Sequence, residues 1–165
     1  MIICGIDVGN QGALAFVYFN KKGVIESFGV FDMPVYVTGG RGKTKKGNPK
    51  THTVIDEDEV VSLLRGRKPD LVFIEKSQAM PGQGSVSMFS YGTGYGIIRG
   101  ICSGLRLSYT LVHPATWKRA MMKDMDKGKD AAIVRAKQLF PDADIKKKDG
   151  RAEALLLAFY GKTLL

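Results

Sequence analysis

GIDVGNQGALAF, residues 5–16, carries one carboxylate, Asp7, to the end of an apolar run that begins at Ile2. The spacing predicts a first strand ending at Asp7, a turn over Val8-Gly9-Asn10-Gln11-Gly12, and a returning strand from Ala13 to Phe19. Gly and Asn suit such a turn because they tolerate the backbone angles it demands. A carboxylate in a strand otherwise bound for the core is costly unless paired, hydrogen-bonded or bound to metal. Asp7 therefore needs partners elsewhere in the chain.

Lys21-Lys22-Gly23 reads as a second hairpin turn and Val24 to Met33 as a third strand, so the first three strands form an antiparallel meander closed by Pro34. Residues 38–50, TGGRGKTKKGNPK, hold five Lys or Arg and no acid, which predicts a flexible basic loop. Gly42-Lys43-Thr44 within it resembles the tail of a phosphate-binding P-loop, but Val37 stands where that motif requires its first Gly, and no helix pattern follows. Asp56-Glu57-Asp58-Glu59 opens a helix to about Arg65, acids at its positive end and Arg65 and Arg67 at the other. LVFIE, residues 71–75, is then a short strand ending on Glu75, the arrangement of the first strand again. A helix between the two implies a parallel crossover, and sites in such sheets gather at the carboxyl ends of strands. Asp7 and Glu75 are thus expected side by side; the structural alternative pairs Glu75 with Lys76 or Arg99.

A helix from about Met88 to Leu105 carries Gly92, Gly96, Gly100 and Gly104 four apart, on one face. Each helical Gly costs roughly 0.5–1 kcal/mol relative to Ala, so the row calls for a closely approaching helix, within the chain or from a second copy. Phe89, Tyr91 and Tyr95 near its start are core residues or stacking platforms for unpaired bases. LSYTLV, 107–112, is a fifth strand, Pro114 opens a short helix, and Gly128 to Phe140 is another. In the last helix, within KKKDGRAEALLLAFYG (146–161), Asp149 and Glu153 stand one turn apart beside an apolar stripe of Ala152, Leu155, Leu156 and Phe159. The alternative makes Asp149 an N-cap and pairs Glu153 with Lys146 or Lys148.

With 165 residues the chain suits one domain, residues 1–165, and its net charge of +9 favours a polyanionic partner. No apolar run approaches the ~18 residues of a membrane span, and no leader pattern precedes the first strand; the expectations are no membrane, no signal or transit peptide and a cytoplasmic location. Cys4 and Cys102 are isolated, and with only His52 and His113 they make a zinc site improbable on spacing. Asp7, Glu75, Asp149 and Glu153 in one pocket would repel and take up protons unless cations intervened. Oxygen-only ligation selects Mg²⁺, with Mn²⁺ as a substitute, and two such ions support phosphoryl displacement. A basic surface around an acidic, metal-binding pocket is the charge layout of a nuclease.

The order of three antiparallel strands, helix, strand, helix, strand and terminal helix resembles the ribonuclease H-like fold, an α/β architecture with a five-stranded mixed sheet flanked by helices. Within it the chain resembles the RuvC-type Holliday junction resolvases, in GIDVGNQGALAF, FIEKSQAMPGQGS and DGRAEALLLAFYG, and their phage and organellar branches in HPATWKRAM and KQLFP. The resemblance implies a homodimer that nicks four-way DNA junctions symmetrically, with Asp7, Glu75, Asp149 and Glu153 as catalytic metal ligands, two Mg²⁺ per site and no other small-molecule cofactor. It implies DNA contacts from Arg41, Lys43, Lys45, Lys46, Lys76, Gln78, Lys118 and Lys148, junction entry by residues 76–91, and a dimer interface along Gly92, Gly96, Gly100 and Gly104. The bacterial enzymes place their last two acids three apart; here Asp149 and Glu153 are four apart, which leaves open which one binds metal directly. The rival readings are another nuclease of this fold acting on RNA or flaps, a silent DNA-binding subunit, and a sugar-kinase or actin-like ATPase. IDVGNQG resembles the first phosphate loop of those ATPases, but the chain lacks their second, Asp-Gly-Gly-type loop.

Overall fold

Three strands come first in the computed structural model, which describes all residues except 77, 79–81, 83, 126, 127, 129 and 146–149: β1 (Ile2–Asp7), β2 (Ala13–Phe19) and β3 (Ile25–Asp32). They form the expected antiparallel meander. Asn20 builds the second turn, its Oδ1 accepting the N–H groups of Lys22 and Val24 at 2.9 and 3.0 Å. Next come β4 (Val35–Lys43), β5 (Pro49–Ile55), α1 (Glu57–Arg67) and β6 (Leu71–Glu75). After them follow α2 (Ser85–Gly104), β7 (Tyr109–Val112), α3 (Pro114–Met121), α4 (Ala131–Leu139) and α5 (Gly150–Lys162). The main sheet runs β3-β2-β1-β6-β7, with β6 parallel to β1 and β7 parallel to β6.

The expectation of a loop over residues 38–50 is overturned, because β4 and β5 pair there as a separate antiparallel hairpin. Val35, Tyr36, Val37 and Thr38 face Ile55, Val54, Thr53 and His52, cross-strand pairs of β-branched and aromatic residues that favour pleated backbone. The glycines and lysines at the tip conceal that pattern in sequence. The tip closes where Thr44 donates its N–H to Asn48 O at 2.7 Å, with Gly47 at φ 82°.

α1 begins as its acids require: the Asp56 side chain accepts the Glu59 N–H at 3.1 Å, and Arg65 and Arg67 close the helix. Alternation along the strands divides the core in two. Cys4, Ile6, Leu14, Phe16, Val72 and Ile74 meet α1 and α2 on one face. Ile3, Ala15, Val17, Phe19 and Phe73 meet α5 on the other. α5 is more deeply set than its stripe suggests, since Ala154, Leu157 and Ala158 are buried along with Ala152, Leu155 and Leu156. α3 and α4 lie over it, so its outer side is covered as well. Close approach to the sheet depends on Gly5, where a Cβ would strike Ala154 O and stand 2.5 Å from Ala158 N.

Both cysteines are free and buried in the α1–α2 half of the core. Burial, reinforced by Cys102 and opposed by Arg67, holds the Cys4 thiol well above its ordinary pKa, and burial pushes Cys102 up to about 11. Neither is a reactive thiolate at neutral pH. Among the described residues no helix is long and apolar enough to cross a membrane.

Candidate active site

The parallel register that pairs Ile6 with Ile74 brings the carboxyl ends of β1 and β6 together, where Asp7 and Glu75 stand. Asp7 shares strand parity with Ile3 and Gly5, and Glu75 with Leu71 and Phe73, so both carboxylates belong to the face that α5 covers. Glu75 is only 8% exposed, the single buried charged side chain among the described residues. Asp7 accepts the Gly9 N–H at 3.4 Å as the chain turns.

α5 contributes the next acid. Its first residue, Gly150, lies against the same turn: a Cβ there would stand 2.5 Å from Gln11 O and 2.9 Å from Gly12 Cα. Only Gly lets the helix start so close to the strand end. One turn on, Glu153 Oε1 accepts from Lys118 Nζ of α3 at 2.5 Å. His113 caps α3, its Nδ1 accepting the Ala115 N–H at 3.2 Å, and Trp117 is fully buried, which fixes the helix that presents Lys118.

Lys118 shows how the acids are gathered. Its partial burial alone would lower its pKa, yet the hydrogen bond to Glu153 and the charges of Glu153, Glu75 and Asp7 raise it overall. Acids from β1, β6 and α5 therefore act on one ammonium group. Lys118 is thus one partner of Glu153; Lys146 and Lys148, which the alternative reading paired with it, lie outside the described residues, as does Asp149. Among the described residues no three acids, histidines or cysteines are grouped closely enough to form a metal site.

The expected DNA-contacting residues fall in separate places. Arg41, Lys43, Lys45 and Lys46 are exposed on the hairpin, Lys76 and Gln78 are exposed just beyond Glu75, and Lys118 lies among the acids; Lys148 is outside the described residues. Asn10, in the turn after β1, ties that turn to the hairpin, its Nδ2 donating to Thr53 O of β5 at 3.0 Å. Gly92, Gly96, Gly100 and Gly104 are exposed, and a Cβ at any of them would meet nothing within 4 Å among the described residues, so none of the described helices fills that row.

Sequence reasoning missed Arg151. Its Nε donates to Asp32 Oδ1 of β3 at 2.5 Å and its Nη1 to Asp144 Oδ2 at 2.7 Å, tying the start of α5 to the sheet edge and the preceding loop. Arg151 follows Asp149 by two residues, but nothing in the local pattern names partners 119 and 7 positions away.

No protein-family model matches the chain, and no curated protein matches it in sequence. Solved structures do match. Thermus thermophilus RuvC in complex with a Holliday junction substrate aligns at TM-score 0.66 and 16% identity, over 97% of this chain and 92% of that one. Fowlpox virus resolvase, solved with substrate Holliday junction DNA, aligns at 0.53 and 18%, over 100% and 99%. The yeast mitochondrial Holliday junction resolvase Ydc2 aligns at 0.53 and 13%, over 97% and 77%. At such identities the likeness establishes architecture, and the chain has the ribonuclease H-like fold that RuvC and these resolvases share.

Proposed function

We propose that this protein is a divalent-metal-dependent endodeoxyribonuclease that resolves four-way DNA junctions. What supports the reading is that Asp7 and Glu75 end the adjacent parallel strands β1 and β6, that Glu153 bonds Lys118, and that the charges of all three acids raise the Lys118 pKa. Acids brought from three elements around a positive charge suit a metal, and an all-oxygen donor set suits Mg²⁺ or Mn²⁺. Asp7, Glu75, Glu153 and Asp149 would hold two ions, which when bound activate water and stabilise the departing oxygen of a phosphodiester.

The chain's own residues do the rest. Lys118 holds Glu153 in place and offsets the repulsion among the acids, which otherwise favours their protonation. The exposed Arg41, Lys43, Lys45, Lys46 and Lys76 bind the phosphate backbone, a net charge of +9 drawing a polyanion to the surface. The open glycine row on α2 supports a homodimer, because a second copy's helix can approach there without displacing side chains. Two sites in one dimer then nick strands of like polarity and leave ligatable ends. Four-way junction DNA as the partner is supported by the fold shared with RuvC and fowlpox virus resolvase, whose structures hold Holliday junction DNA.

Junction, duplex, flap and RNA–DNA hybrid substrates tested side by side with Mg²⁺ decide the matter. The expected result is paired, symmetric nicks in the junction and little cutting of the other three. Preferred cutting of the hybrid or the flap would replace this reading with another nuclease of the same fold.

A further inference from the structure

Lys118 has more than one attachment. Its Nζ donates to Glu153 Oε1 of α5 at 2.5 Å and lies 5.2 Å from the centre of the Trp117 ring, and the charges of Glu75 and Asp7 act on it as well. Those three acids are the described members of the proposed ligand set, so the ammonium already answers the negative charge that a divalent ion would answer. Glu153 is its direct partner, and only 14% of that side chain is exposed, so water and salt screen the pair incompletely.

An ammonium and a dication do not share such a carboxylate easily. The bond to Oε1 occupies lone pairs that metal ligation uses, and an ion on the other oxygen would face a second positive charge in a poorly screened place. Lys118 is also able to leave. Its side chain is 36% exposed and ends in a strongly hydrated head on a flexible stem. The helix beneath it is fixed, because Trp117 is fully buried and His113 caps the start of α3. The ammonium can therefore swing into water while α3 stays in place.

On the metal-dependent reading above, on which this inference rests, we propose that Lys118 is a resident counter-ion that exchanges with the divalent ion. Lys118 bonds Glu153 until the ion binds, then gives up the carboxylate and moves off the Trp117 ring. The lysine thereby holds like-charged acids together in the folded chain and sets the metal concentration at which the site loads.

The test uses the full-length protein and two readouts that need no DNA. Trp117 is the chain's only tryptophan, so its emission reports the ammonium beside its ring. Wild type is expected to change that emission in a Mg²⁺ titration, and Lys118→Met to show no such change. Mn²⁺ affinity by calorimetry is expected to rise in Lys118→Met by about 2- to 5-fold, the factor that an ion pair of this exposure carries. A lysine that merely positions Glu153 predicts the opposite sign, because a loosened ligand binds metal less well. Equal or weaker Mn²⁺ binding by Lys118→Met overturns the exchange and leaves the nuclease reading intact, as does an emission change that persists in that variant. The wild-type titration stands by itself if the substitution impairs folding: constant Trp117 emission, while calorimetry shows metal uptake, also overturns the exchange. Wild type that takes up neither ion overturns the metal-dependent reading and the exchange with it.

Discussion

Lys118 donates to Glu153 at 2.5 Å while Asp7 and Glu75 act on the same ammonium, and its pKa lies above the ordinary lysine value of 10.5. A group whose pKa is raised by folding stabilises the native state at every pH below its unfolded value. That contribution disappears as the pH climbs through the folded value. Lys118→Met should therefore lower the thermal midpoint at neutral pH, and the difference from wild type should shrink in buffers above pH 10.5. A difference that stays constant with pH would show that packing, not charge, is what the substitution removes. The lysine side chain is 36% exposed, so the neutral-pH loss should be modest, about 1 kcal/mol. Glu75 tests the other side of the balance. Glu75→Gln keeps the shape of a buried side chain and removes a proposed metal ligand, so Mn²⁺ affinity measured by calorimetry should fall about tenfold or more, with little change in fold. Unchanged affinity would remove Glu75 from the proposed ligand set.

α5 reaches the strand ends only because glycine lies wherever it crosses backbone: Gly5 beneath Ala154 and Ala158, and Gly150 against Gln11 and Gly12. Gly5→Ala would wedge a methyl group against helix backbone, which cannot yield as a flexible side chain does. The expected cost is about 1–3 kcal/mol, with a loss of nuclease rate larger than the loss of folded protein because Glu153 moves with the helix. A fully active Gly5→Ala would contradict the close-approach account. On α2 the expectation is reversed. Gly96 faces open space in this chain, so Gly96→Leu should fold with an unimpaired thermal midpoint, helix propensity even favouring it by up to about 1 kcal/mol, while light scattering reports a monomer. A Gly96→Leu protein that remains dimeric moves the interface elsewhere. These elements differ in how far sequence disclosed them. The carboxylate-terminated strands at Asp7 and Glu75 and the acid-headed α1 were legible, because hydrophobic period and capping are local signals. The hairpin was not, since its evidence is the pairing of Val35–Thr38 with His52–Ile55 across a Gly- and Lys-rich tip that reads locally as loop. Nor were the Lys118–Glu153 and Arg151–Asp32 bonds, which join residues 35 and 119 positions apart and have no local signature.

At the scale of the whole molecule, the chain carries a net charge of +9 while Asp7, Glu75 and Glu153 act on Lys118, so on the proposed function attraction to DNA and its cleavage belong to different residues. Junction affinity should fall steeply with salt, by a log–log slope of roughly 0.9 for each phosphate neutralised. Replacing Arg41, Lys43, Lys45 and Lys46 together with Ser should flatten that slope by up to about 3–4 without altering the cleavage rate at saturating enzyme. An unchanged slope would exclude the hairpin from the DNA contact. The central claim is narrower than the charge distribution: acids distant in sequence meet at one place and cut DNA through metal. Asp7→Asn tests it most directly, with junction binding and Mg²⁺-dependent cleavage measured on the same preparation. The account predicts wild-type binding and no detectable cleavage; cleavage by the Asn variant at the wild-type rate would contradict it.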